Sequence, residues 1–215
     1  MTEHRQFLLS LCVLFLVTAP LSSPAQDGRQ RFSPCVACHG ADARGNPALG
    51  APALAGQHAD YLVRQLMLFR RGQRGAMEGD SFGAQMAPFA AMLADDAAVA
   101  TVAAWVSALP PNTSVEVAEG DARRGASLYN GNCGACHGGQ AQGNPALKAP
   151  RLAGLDPTYL TRQLTNYRNG LRGTDPGDRP GRQMAMMAGT LTDKQSIADV
   201  LAYVASLAGA DTAAP

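Results

Sequence analysis

The sequence predicts an all-α protein made of two tandem copies of one unit. Three observations carry that expectation. Adding 98 to a residue number in the first half repeatedly lands on the same residue in the second, with 39 of the 75 positions from Cys35 to Leu109 identical and no gap. Apolar residues recur at helical spacing, as in Ile197, Val200, Leu201, Val204 and Leu207. No window combines period-two alternation with β-branched enrichment, and the segments between helical stretches are rich in Gly, Pro and Asn. Two copies, each long enough to enclose a centre of its own, are a duplicated domain and not a solenoid.

Taken in order, the chain opens on a basic start, Met1 to Arg5, followed by an apolar run from Phe7 to Ala19 and small residues at Ser23-Pro24-Ala25. This reads as a secretory signal peptide over residues 1–25, cleaved after about Ala25. An uncleaved anchor is the alternative, although the apolar run is short for a membrane span. A lipoprotein reading at Cys12 meets Leu11 where a small residue would stand. The first domain is expected over 26–109, a linker over 110–118 around the paired Pro110 and Pro111, a second domain over 119–209, and a tail over 210–215.

Each copy should hold three helices. The first carries the Cys-rich motif, and in the second copy Asp121 to Tyr129 leads into it. Only nine residues would separate Ala25 from Cys35, so no matching full helix is expected in the first copy. The middle helix is expected over 60–71 and 157–168, with Asp156 and Pro157 as cap and first turn and Gly72 and Gly170 as stops. The last is expected over 95–109 and 193–207, with Thr192 and Gln195 as a capping box. Long loops separate these helices, and a large apolar group would give such loops something to fold against.

The chemistry lies in Cys35-Val36-Ala37-Cys38-His39 and Cys133-Gly134-Ala135-Cys136-His137. Cys-x-x-Cys-His is the attachment signature of c-type haem. Two thiols about one helical turn apart each add to a haem vinyl group, and the next histidine can bind iron. Zinc sites and redox dithiols share Cys-x-x-Cys, but a four-Cys zinc ribbon would leave both histidines unexplained. Without residues 1–25, four cysteines remain and all four sit in these motifs, so none is left for a disulfide. Of the histidines, only His58 is then unassigned.

A formal net charge of +1 speaks against nucleic acid or an acidic polymer as partner. Two propionates per haem would make the assembled protein mildly acidic. Sixteen of the eighteen basic residues are Arg, so there is no lysine ring to steer a partner, and docking would use Arg or apolar surface.

The sixth iron position decides function, because a Met thioether suits electron transfer and an open site suits oxygen or peroxide chemistry. Only Met86 and Met184 are methionines related by the 98-residue offset, each within Gln-Met-Ala. Met186 is the rival in the second copy, with Pro88 at its equivalent. Met67, Met77, Met92 and Met187 read as core filler. Pro52 and Pro150 follow their histidines by thirteen residues, with free carbonyls that could fix the imidazole rings; ordinary turn prolines are the alternative.

With these residues in place, the chain resembles the di-haem cytochrome c4 family, two class I cytochrome c domains in tandem. The order Cys-x-x-Cys-His, Pro-x-Leu, distal Met and a C-terminal helix with an aromatic is met by Pro52-Ala53-Leu54, Met86 and Trp105, then by Pro150-Arg151-Leu152, Met184 and Tyr203. The resemblance implies two covalent haem c groups. Cys35, Cys38, Cys133 and Cys136 would attach them, and His39, Met86, His137 and Met184 would bind the irons. It further implies that the Pro52 and Pro150 carbonyls accept from the histidines, with Arg64, Arg70, Arg162 and Arg168 as candidates to neutralise propionates. The expected function is a periplasmic electron carrier, not an enzyme, passing single electrons between respiratory-chain components such as membrane cytochrome complexes or a terminal oxidase. Peripheral membrane association and service as the haem subunit of a larger oxidoreductase are compatible with it. A di-haem peroxidase is a further alternative, in which His58 could replace Met86.

Overall fold

The computed structural model describes residues 23–208. Residues 1–22 of the expected signal peptide and the tail from 209 lie outside the described residues. Among the described residues there are ten α-helices and no strands, with isolated bridges at Asn46–Ala51 and Asn144–Ala149.

The first half opens with α1 (Pro24–Phe32), capped by Ser23, whose side chain accepts from the Gln26 amide. This corrects the expectation that the first copy lacks a full N-terminal helix. The helix begins before the expected cleavage point, which falls in its first turn. It packs on α5 (Asp96–Ser107) as α6 (Ala122–Asn132) packs on α10 (Lys194–Ser206) in the second half.

Both crossings depend on glycine. A Cβ at Gly28 would collide with Trp105, and one at Gly125 with the Asp199 carbonyl. Phe32 lies tilted on Trp105 at 5.1 Å between ring centroids, and Tyr129 on Tyr203 at 5.4 Å. These partners are related by 97 residues on the first helix and by 98 on the last. The one-residue difference lies just before the cysteines, where the first half has a 3₁₀ turn, Ser33–Cys35.

The Cys-x-x-Cys-His segments end in separate one-turn helices, α2 (Val36–His39) and α7 (Gly134–His137), and do not continue α1 and α6. The middle helices are α3 (Ala59–Arg70) and α8 (Pro157–Arg168). Asp156 caps α8 by accepting from the Tyr159 amide, whereas His58, its counterpart, makes no side-chain cap. The last helices are capped by Asp95 and Asp193, which accept from Ala98 and Ser196 at 2.7 Å. The capping box at Thr192 is therefore corrected by one residue, because the Asp193 carboxylate is the better acceptor.

Two further helices stand where long loops are expected: α4 (Ser81–Ala91) and α9 (Arg179–Ala188), which bear Met86 and Met184. Pro88 inside α4 and Pro180 at the start of α9 hid them from a periodicity reading. Met77 and Met92 are exposed, not core filler, while Met67 packs against the first core.

Each half has its own core. Phe32, Leu62, Val99, Val102 and Val106 form one; Tyr129, Leu160, Ile197, Val200 and Val204 form the other. Residues 110–118 run without helix past the equivalent corners Gly56 and Gly154. Pro111 lies against Gly56, and the Asn112 side chain donates to the Gly154 carbonyl at 3.2 Å. Gln57 completes the join: its amide donates to the Arg151 carbonyl and accepts from the Arg151 N–H, both at 2.9 Å.

Gly125→Ala should force α6 off α10 at a cost of about 1–3 kcal/mol, the usual range for overpacking. Urea denaturation should read this as a lower midpoint with an unchanged slope.

Candidate functional site

The functional side chains gather in two cavities, one per half. Cys35, Cys38, His39, Pro52 and Met86 line the first, and Cys133, Cys136, His137, Pro150 and Met184 line the second. The two Cys pairs are thus apart, which the four-Cys zinc reading does not allow. No disulfide joins them. Burial, then the neighbouring cysteine, raises the Cys35 thiol and pushes Cys133 up to about 11. A redox-active dithiol needs the opposite, a depressed pKa.

Backbone hydrogen bonds set the histidines. Behind His39 the chain turns through Gly40 (φ +77°) and folds back at Gly45 (φ +85°), whose amide donates to the His39 carbonyl at 2.9 Å. A Cβ at Gly45 would stand 2.5 Å from the Ala53 nitrogen, so the return strand of the loop can lie this close only beside glycine. Leu54 and Ala55 donate to the Ala43 carbonyl and fix Pro52 beneath the ring. Gly138, Gly143 and Ala141 repeat this in the second half.

The result is 2.9 Å between His39 Nδ1 and the Pro52 carbonyl, and 2.9 Å between His137 Nδ1 and the Pro150 carbonyl. A carbonyl only accepts, so Nδ1 holds the proton and Nε2 keeps its lone pair. Burial lowers both imidazole pKa values, partly offset by the proline bond, and the rings are neutral at neutral pH. Two thiols, a neutral imidazole with a free Nε2, a thioether and largely apolar walls suit a haem in each cavity.

Met86 and Met184 are positioned by α4 and α9, whose caps Asp80 and Asp178 accept from the Gly83 and Gly181 amides at 3.0 Å. Met186 is 70% exposed and lines neither cavity, so it is no rival to Met184. Met187, read as core filler, lines the second cavity. His58 is far from an iron role: its Nε2 lies 3.1 Å from the Gln142 carbonyl of the other half.

The two cavities share a wall. Tyr61, Gln65, Tyr159 and Gln163 line both. Two buried arginines stand behind it. Arg74 donates to Gln65 at 2.7 Å and Gln163 at 3.1 Å; Arg172 donates to Gln163 at 2.6 Å, Gln65 at 2.8 Å and the Tyr61 hydroxyl at 3.1 Å. Neither is in a salt bridge among the described residues. Arg74 lines the first cavity and Arg172 the second.

Sequence reasoning missed this pair, although Arg74 and Arg172 repeat at 98 and so do the glutamines. Of the arginines it named, Arg70 is held by Asp96 and Arg168 by the Thr192 carbonyl, and neither lines a cavity. Arg64 and Arg162 cross between the halves, to the Lys148 carbonyl at 2.9 Å and the Gly50 carbonyl at 2.5 Å.

Known proteins agree with this reading of the cavities. The model of the cytochrome c family matches residues 25–110 and again 122–208. The chain is 34% identical over 212 residues to cytochrome c4 of Azotobacter vinelandii, covering 93% of this chain and 96% of the relative. It is 39% identical over 180 residues to a thiosulfate dehydrogenase electron acceptor of Stutzerimonas stutzeri, covering 79% and 78%. Reduced cytochrome c4 of Pseudomonas stutzeri superposes with a TM-score of 0.65 at 26% identity, covering 84% of this chain and 97% of that one. A thiosulfate dehydrogenase of Marichromatium purpuratum gives 0.69 at 31%, but this chain spans only 40% of its length. The chain belongs to the cytochrome c family and is a tandem electron-transfer protein of the cytochrome c4 type, with two covalent haem c groups.

Proposed function

We propose that the protein is exported to the periplasm and shuttles single electrons between respiratory-chain components, with both irons held by His and Met. In this reading Cys35 and Cys38, and Cys133 and Cys136, form the thioether links. His39 and Met86 bind one iron, and His137 and Met184 the other. The observation that carries it is that the two methionines related by the repeat line the same cavities as the Cys-x-x-Cys-His residues. The bound haem supplies a one-electron iron couple, and a Met sixth ligand raises its potential. The chain's own part is to orient His39 and His137 through the proline carbonyls, exclude water with apolar walls, and hold the charges of Arg74 and Arg172 at the shared wall. Arginine stays protonated when buried, so these two would face the haem propionates as permanent cations. The export reading rests on the basic and apolar opening of the sequence. Among the described residues no single helix is long and apolar enough to cross a membrane.

The thiosulfate dehydrogenase electron acceptor among the relatives favours one class of donor, an enzyme that oxidises thiosulfate. Stopped-flow mixing of oxidised protein with such a dehydrogenase and thiosulfate tests it. Reduction at a rate that saturates with protein concentration supports this donor; reduction no faster than with a mitochondrial-type cytochrome removes it.

The ligand reading has its own test. Met86→Ala and Met184→Ala should each turn one haem of the pair high-spin in the ferric state, halving the Met–iron charge-transfer band. A variant that keeps the full wild-type band identifies a different sixth ligand in that half. Arg172→Gln, which removes a buried cation, should lower the mean midpoint potential in a spectroelectrochemical titration, since positive charge favours the reduced iron.

A further inference from the structure

Arg64 and Arg162 are equivalent under the repeat, and their environments are equivalent too. Each leaves its own half: Arg64, on α3, donates from Nη2 to the carbonyl of Lys148, and Arg162, on α8, donates to the carbonyl of Gly50, the residue equivalent to Lys148. Each lines the cavity of the opposite half and not its own. Arg162 lines the first cavity with His39 and Met86, and Arg64 lines the second with His137 and Met184. In both side chains Nε is buried and has no hydrogen-bond partner.

An orphaned, buried N–H on a charged group is costly, and native proteins rarely keep one without a use. Here the same orphan occurs twice, at equivalent positions, beside cavities suited to a group with anionic edges. The guanidinium carbon of Arg162 lies over Phe82, 3.9 Å from the ring centroid, and that of Arg64 over Tyr61 at 5.3 Å. The Nη2 bond to a backbone carbonyl fixes the fork, and Nε is the remaining inner donor. Asp80, the carboxylate lining the first cavity, is engaged by the Gly83 amide and by Asn166.

We propose that Arg64 and Arg162 form a reciprocal clamp across the two halves, each donating from Nε to a propionate of the haem bound by the other half. This rests on the proposed di-haem carrier reading and adds to it a crossed assignment. Besides Arg74 of its own half, the first haem would thus be met by an arginine carried by the second half, and the second haem, besides Arg172, by one carried by the first. It also gives each iron a sensor of how the opposite half is seated. Arg64 and Arg162 are cofactor-binding residues in this scheme, acting on potential through charge and not touching iron.

The test is a spectroelectrochemical titration of the complete di-haem protein and of Arg64→Gln and Arg162→Gln. Each wave is assigned to a half by the large negative shift that Met86→His or Met184→His gives its own haem. The expected result is crossed. Arg162→Gln lowers the first-half midpoint and leaves the second in place, while Arg64→Gln does the reverse, changing the oxidised-to-reduced ratio at fixed potential several-fold. Arg162→Lys, which keeps the charge, restores part of the shift. A shift of the variant's own haem, equal shifts of both, no shift in either, or a lysine variant as far shifted as glutamine overturns the clamp. Loss of the di-haem reading would show separately, as a wild-type protein without two low-spin Met-ligated haems.

Discussion

The structure depends on two buried cations that make no salt bridge among the described residues. Arg74 and Arg172 face each other through the carbonyl oxygens of Gln65 and Gln163, and these four residues with Tyr61 and Tyr159 form or back the partition between two cavities. Taking an arginine out of water costs several kcal/mol unless something anionic meets it. Glutamine oxygens satisfy the N–H groups but supply no charge. The rest of the architecture brings this partition together. The linker passes between Gly56 and Gly154, Gln57 binds the backbone of Arg151, and Gln65 of α3 and Gln163 of α8 share the donors of Arg74 and Arg172.

Much of this was legible in the sequence because the repeat acts as an internal alignment. Residues that recur at 98 include both Cys-x-x-Cys-His motifs, Pro52 and Pro150, and Met86 and Met184, and these gather in the two cavities. What was not legible has identifiable causes. Prolines in α4 and α9 masked helices that carry the methionines. The N-terminal helix of the first half was cut short by an expected cleavage point and by a register that slips from 98 to 97 ahead of the cysteines. Arg74 and Arg172 were passed over because a lone arginine outside a helix gives no periodic signal; its burial is set by residues about 90 to 110 positions away.

The duplication has also diverged in a directed way. At the second half's Asp175 and Thr190 the first half has the exposed Met77 and Met92, and at Pro180 it has Phe82, which lies under Arg162 of the other half. At the helix start, Asp156 serves as a cap, while His58 gives up capping to reach Gln142 across the join. The first half has exchanged local helix stabilisation for a contact with its partner half.

The common partition also ties the two cavities to each other. It is lined from both sides, and four arginines stand around the cavities against one cavity-lining carboxylate, Asp80. A change at Gln65 or Gln163 therefore alters the wall of both cavities and the partners of both Arg74 and Arg172 at once, so the two halves cannot be varied independently at this wall.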